Sequence, residues 1–121
     1  MHLVFEALEV TYNEALGGDI IQVSFQEYPD PDLDYSKVMP PPIKGIVFSA
    51  NYEFPPCDTL VEWCDGEGYD GGQKIKEINL TKTSLNLVTR NGNVFDVKFQ
   101  TDDVTFENIQ NFVLSSKQRI A

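Results

Sequence analysis

Three aspartates at alternate positions are the first candidates for chemistry in this sequence. Asp30, Asp32 and Asp34 have the spacing of the first three oxygen ligands of a calcium-binding loop. An EF-hand loop also needs glycine at its sixth position and glutamate at its twelfth, where this chain has Tyr35 and Pro41. The sequence therefore excludes an EF-hand and leaves an irregular, weak calcium site as the alternative. We predict no metal and no cofactor.

The other reactive side chains are few. One histidine and two cysteines exclude most zinc sites and every catalytic triad that needs an internal histidine. The sequence fixes no partner for His2, and neither Cys57 nor Cys64 has a neighbouring base or cation that would activate a thiol. No pair among the nineteen acidic residues has a spacing that selects it for glycoside hydrolysis. We therefore predict that the protein is not an enzyme.

The opening residues, the two cysteines and the hydropathy suggest a compartment. The first residues lack the basic stretch followed by an apolar run that marks a signal peptide. No stretch reaches the roughly 18 apolar residues that a membrane span requires. We expect a cytoplasmic protein in which Cys57 and Cys64 are reduced, with a single disulfide between them as the alternative.

Apolar residues recur with a period of two over most of the chain, which indicates strands. The pattern predicts an α+β fold, a mainly antiparallel sheet of about seven strands with one C-terminal α-helix packed on it. We expect one domain over residues 1–121. Residues 65–72 are rich in glycine and are predicted to form a loop between the fourth and fifth strands. The three acids in this loop would repel a phosphate group, so its glycines are better explained by the backbone conformation of a turn.

Two local features of the strands are specific enough to test. The apolar alternation changes phase after Ala7, which predicts a bulge near Leu8. A three-residue loop over residues 90–92 sets Leu87 against Phe95 and Leu85 against Val97, with Gly92 in the left-handed conformation.

A helical stripe of apolar residues follows the last strand, which ends at Phe99. The stripe predicts a helix with Asp103 or Thr105 as its N-cap and with Lys117 and Arg119 suited to its C-terminal end; its members are Phe106, Ile109, Phe112 and Val113.

The charge is strongly negative and unevenly distributed. With 41% hydrophobic and 23% charged residues the composition is that of a folded domain, and the net charge is −10. This sign excludes the basic footprint of a nucleic-acid-binding protein. Residues 1–73 hold fourteen acids and two bases, whereas residues 74–121 hold five acids and seven bases.

Two acidic stretches with interleaved aromatic residues are candidate protein-binding surfaces. Aromatic anchors ringed by charges are typical of interface hot spots, although acidic loops can also serve solubility alone. Trp63 is undecided, because either its face of the strand or that of Glu62 and Cys64 must point outward. The candidate partner-binding residues are Asp30, Asp32, Asp34, Glu62, Trp63, Asp65, Glu67, Tyr69 and Asp70, with Gly71 and Gly72 shaping the loop.

One set of short motifs resembles the immunity protein 10 family, small acidic proteins of bacterial polymorphic toxin systems. The motifs are Phe48-Ser49-Ala50-Asn51-Tyr52-Glu53, Val61-Glu62-Trp63 and Tyr69-Asp70-Gly71-Gly72, followed by an extended stretch from Ile75 to Leu80. The resemblance implies a protein that binds a cognate toxin domain and neutralises it without chemistry of its own, and the acidic charge predicts that this toxin is basic. The acidic residues would supply ion pairs, and Trp63 and Tyr69 would supply buried contact area. The alternative is a β-rich accessory domain without a toxin partner that self-associates, for example as a homodimer through a sheet edge.

Overall fold

The computed structural model describes residues 1–29, 42–52 and 59–120, the last four of these as backbone only. Within these residues the chain forms eight strands, a short 3₁₀ turn at Leu16–Gly18 and one α-helix. The elements are β1 (His2–Ala7), β2 (Glu9–Ala15), β3 (Ile20–Gln26), β4 (Gly45–Asn51), β5 (Thr59–Cys64), β6 (Tyr69–Leu80), β7 (Ser84–Thr89), β8 (Val94–Phe99) and α1 (Asp103–Ile120).

The eight strands form one sheet in the order β1-β8-β7-β6-β5-β4-β3-β2. Six of its pairs are antiparallel, in agreement with the predicted mainly antiparallel sheet, but β1 pairs with β8 in parallel, so the sheet is mixed, and its described strands number eight rather than about seven. β1 and β2 lie at opposite edges of the sheet although only Leu8 separates them in sequence. The sheet must therefore curl until its two edges approach each other, which gives a nearly closed, barrel-like wall.

The break at Leu8 explains the strand count. The change of apolar phase predicted a bulge within one strand; instead the strand ends and the chain bends at Leu8, whose side chain is exposed. Leu3, Phe5 and Ala7 on β1 are buried, and Val10 and Tyr12 on β2 pack against the same core in the opposite phase. One predicted strand is thus two strands, because its halves pair with different neighbours.

Side chains reinforce the parallel pair at the outer face. His2 bonds the carboxylate of Asp96 on β8, and the Asn86 amide on β7 donates to the same carboxylate. These bonds, the one from His2 first, hold the pKa of Asp96 below its ordinary value. His2 therefore has a fixed partner, contrary to the sequence-based expectation. Its ring ties β1 to β8.

The β7–β8 hairpin has the predicted register. Leu85 pairs with Val97 and Leu87 with Phe95, all four buried, and Gly92 has a φ of 85°. Only a three-residue loop keeps both apolar rows on the inner face, because a shift by one residue would move every side chain to the other face.

Helix α1 closes the core against the concave face of the sheet. Ile109, Phe112 and Val113 are buried, and the Phe112 ring stacks on Phe48 with centroids 5.8 Å apart. Farther along, the hydroxyls of Ser116 and Thr59 form a buried hydrogen bond of 3.0 Å. The helix thereby fastens β4 and β5 from the inside.

The helix N-cap is Asp102, not Asp103 or Thr105 as predicted. Its carboxylate accepts hydrogen bonds from the Thr105 backbone N–H and hydroxyl, both at 2.8 Å. These bonds, the backbone one first, lower the pKa of Asp102. Asp103 instead lies in the first turn and pairs with Lys82 at 3.0 Å. The side chains of Lys117 and Arg119 lie outside the described part of the structure.

In the part of the chain that the structure describes, no helix has both the length and the apolar character needed to cross a membrane.

Candidate protein-binding site: the acidic hairpin

The best-defined group of candidate residues lies on the hairpin of β5 and β6. The turn is made by Asp65, whose side-chain Oδ1 accepts the backbone N–H groups of Glu67 at 2.9 Å and Gly68 at 3.0 Å. The backbone N–H of Asp65 also donates to the carbonyl of Gly68, and Gly66 has a φ of 94°. The bonds from Gly68 and Glu67 hold the pKa of Asp65 below its ordinary value. Asp65 is therefore a turn-forming residue that carries a negative charge at neutral pH.

The glycine-rich loop is shorter than the sequence suggested. Only residues 65–68 form the turn, and residues 69–72 already belong to β6. The ladder shifts register opposite the step from Val61 to Glu62, so β6 has a bulge at Gly71 and Gly72. The predicted loop was too long because Gly71 and Gly72, which indicated a loop in the sequence, lie in a bulge within strand β6.

Gly71 is required by close approach of the two strands. A Cβ atom at this position would lie 2.7 Å from the Cα of Glu62 and 2.8 Å from its Cβ. Gly72 has no neighbour in that direction but has a φ of 74°, a conformation that favours glycine. Both glycines therefore shape strand β6 rather than the loop in which the sequence placed them, Gly71 through contact and Gly72 through its backbone.

Four acidic side chains project from this hairpin into solvent. Glu62, Asp65, Glu67 and Asp70 are all exposed, and none of them forms an ion pair with a base in the described residues. The Asp70 carboxylate accepts a hydrogen bond from the backbone N–H of Gly71, at 2.8 Å. Beside them the Tyr69 ring is 77% exposed. We call these five residues the acidic hairpin.

Trp63 is not part of this surface. It is 6% exposed and its ring packs against Phe95 with centroids 5.1 Å apart, inside the core. The prediction that it offers contact area to a partner is therefore wrong. Thr59, Val61 and Trp63 share the inner face of β5, and the opposite face carries Glu62. The strand places Glu62 on the outer face because burial of an unpaired carboxylate costs far more free energy than exposure of apolar side chains would.

The structure adds two neighbours that sequence reasoning did not connect to the hairpin. The backbone N–H of Glu27, after β3, donates to the carbonyl of Lys44, before β4, at 2.8 Å. The Lys44 side chain runs beside Gly66 in the hairpin turn. Glu27 therefore lies at the same end of the sheet as the acidic hairpin, and Lys44 is a base close to it. The register between strands brings Glu27 and Lys44 close to the acidic hairpin, so no local pattern in the sequence predicted that they are neighbours.

The remaining candidates lie outside the described residues or are buried. Asp30, Asp32, Asp34 and Cys57 are outside the described residues, and Cys64 is buried with a free thiol. Among the described residues there is no group of three or more His, Cys, Asp or Glu side chains that could hold a metal ion.

Comparison with protein-family models, with curated proteins and with solved structures gives no match. What the fold and the hairpin define is thus a structural class: a mixed, barrel-like sheet around one helix, with an exposed acidic hairpin on its outside.

Proposed function

We propose that the protein is a non-catalytic binding protein that neutralises a basic protein partner by docking the acidic hairpin on it. The observation that carries the proposal is the set of four exposed carboxylates on one hairpin, which form no ion pair with a base among the described residues, next to the exposed ring of Tyr69. The resemblance to the immunity protein 10 family supports a cognate bacterial toxin domain as that partner.

The charge distribution favours a basic partner. The hairpin lies in the part of the chain, residues 1–73, that holds fourteen acids against two bases. The electrostatic field of such an acidic surface accelerates association with a positively charged surface, and this effect weakens as salt screens the charges. Within the hairpin, Glu62, Glu67 and Asp70 supply charge, Tyr69 supplies contact area, and Asp65 and Gly71 hold the geometry.

The test is a pull-down from a lysate of the source organism, at low and at physiological salt, followed by kinetic measurement on the recovered protein. The hairpin variant combines Glu62→Gln, Glu67→Gln and Asp70→Asn and leaves the turn residue Asp65 intact. A matched control removes three exposed carboxylates elsewhere, on β1, β6 and α1, through Glu6→Gln, Glu77→Gln and Glu107→Gln.

We expect a basic partner that elutes as salt rises. The association rate constant should fall about tenfold in the hairpin variant at low salt and much less in the control, because both variants have the same net charge and differ only in where it lies. Equal association rate constants for the wild type and the hairpin variant would contradict the proposal that the partner docks on the acidic hairpin. Recovery of nothing but the protein itself would instead favour the self-associating domain.

A further inference from the structure

The tip of the β7–β8 hairpin carries a residue pair that can react without a partner. Asn91 is followed by Gly92, and no other asparagine of the chain is followed by glycine. The backbone nitrogen of the next residue can attack an asparagine side chain, and glycine allows this most readily because it has no Cβ atom to hinder the approach. Asn91 is exposed to the water that the reaction consumes. Of all the asparagines, it is therefore the one most open to deamidation.

The reaction needs no enzyme and no reactant other than water. The Gly92 nitrogen loses its proton and bonds to the side-chain Cγ of Asn91, and the side-chain nitrogen leaves as ammonia. One water molecule then opens the resulting succinimide ring at either of its two carbonyl groups. The products are aspartate and isoaspartate, in which the main chain runs through the Cβ and Cγ of the residue. Each product adds one negative charge to a chain of net charge −10.

The folded hairpin holds the attacking nitrogen in a hydrogen bond. The N–H of Gly92 donates to the carbonyl of Thr89 at 3.0 Å. Thr89 is fully buried and fixes the loop twice more, since its N–H donates to the carbonyl of Asn93 at 2.9 Å and its hydroxyl accepts the N–H of Asn93 at 3.1 Å. On the side of β6, the N–H of Arg90 donates to the carbonyl of Lys74 at 2.9 Å. The Gly92 nitrogen is therefore released only when this loop opens.

We propose that Asn91 is a protected modification site, which deamidates when the β7–β8 loop opens and is shielded while the loop is closed. Isoaspartate lengthens the main chain of a three-residue loop, and the length of that loop sets Leu87 against Phe95. The modified hairpin therefore closes less well than the original one. The inference is independent of the proposed function, since it concerns the other hairpin and no binding partner.

The test is incubation of the full chain at mildly alkaline pH, once in native buffer and once in concentrated urea. Trypsin then releases the peptide from Asn91 to Lys98, and mass spectrometry measures how much of it has exchanged an amide for a carboxyl group. The loop variant is Thr89→Val, which removes the hydroxyl that accepts the N–H of Asn93. Its matched control is Thr59→Val, which removes a second buried hydroxyl, bonded to Ser116 far from the loop.

We expect Asn91 to deamidate about tenfold faster in urea than in the native chain, because the closed loop adds at least the net contribution of one hydrogen bond to the barrier. Thr89→Val should raise the native rate several-fold, and Thr59→Val should leave it unchanged. Equal rates in the native and unfolded chains would overturn the protection, and so would an equal rise in both variants, which indicates global unfolding. Deamidation of Asn111 in urea as fast as that of Asn91 would overturn the assignment of the site.

Discussion

Replacement of Gly71 by alanine should destabilise the protein more than any other single methyl group added to the hairpin. The new Cβ would lie 2.6 Å from the Cγ of Glu62, 2.7 Å from its Cα and 2.8 Å from its Cβ. Carbon atoms pack at about 3.5–4.0 Å, so β5 and β6 must separate by close to 1 Å at this point. The Glu62 side chain can rotate away, but its Cα cannot.

The expected loss follows from that separation. An increase of this size takes cross-strand N–H···O distances beyond the normal range and strains the bulge, which puts the cost at about 2–3 kcal/mol of unfolding free energy. With a urea m value of about 1.5 kcal/mol/M, the unfolding midpoint should fall by about 1.3–2 M.

Urea unfolding followed by circular dichroism measures this, and the hairpin offers its own controls. Gly68→Ala places a Cβ in open space without a positive φ, so its midpoint should equal that of the wild type. Gly72→Ala also meets nothing, but its φ of 74° should cost about 1 kcal/mol. If the unfolding free energies of Gly71→Ala and Gly68→Ala differ by less than about 0.5 kcal/mol, the two strands do not approach each other as closely as described and the reasoning fails.

Three further predictions test the core and the helix. Ser116→Ala should lower the free energy of unfolding by about 1–3 kcal/mol because it leaves the buried Thr59 hydroxyl unpaired. Adding Thr59→Val should recover most of this loss in urea unfolding. If the effects of the two substitutions simply add, the hydrogen bond is contradicted. The fluorescence of Trp63 should be blue-shifted and shielded from iodide until the protein unfolds; ready quenching of the native protein would contradict its burial. Asp102→Ala should destabilise the protein at neutral pH. Because the folded pKa of Asp102 lies below its ordinary value of 3.8, its contribution is complete above that value and is lost as the pH falls through the folded pKa. The melting temperatures of variant and wild type should therefore converge in acid, and a difference that persists there would argue against a charged cap.

Local pattern was sufficient for much of the fold. The alternation of apolar residues placed most strands, and its change of phase located the bend at Leu8. The register of the β7–β8 hairpin followed from the requirement that Leu85, Leu87, Phe95 and Val97 share one face. These features depend on a few neighbouring residues, whose side-chain period is read directly from the sequence.

The candidate site was predictable in composition but not in arrangement. The glycines and acids of residues 62–72 mark an acidic turn in sequence. The bulge that makes Gly71 necessary depends on how far β5 and β6 approach each other, and a glycine pattern does not show this. The position of Lys44 beside the turn likewise depends on the β4–β5 register.

What the sequence determined by itself is therefore most of the strands, the helix and the excess of negative charge. Tertiary structure alone decided that β1 pairs in parallel with β8 and that Trp63 points inward. The physical reason is the range of the interactions. Periodicity and charge are properties of neighbouring residues, whereas the curl of the sheet and the choice of inner face depend on contacts between residues that lie far apart in the chain.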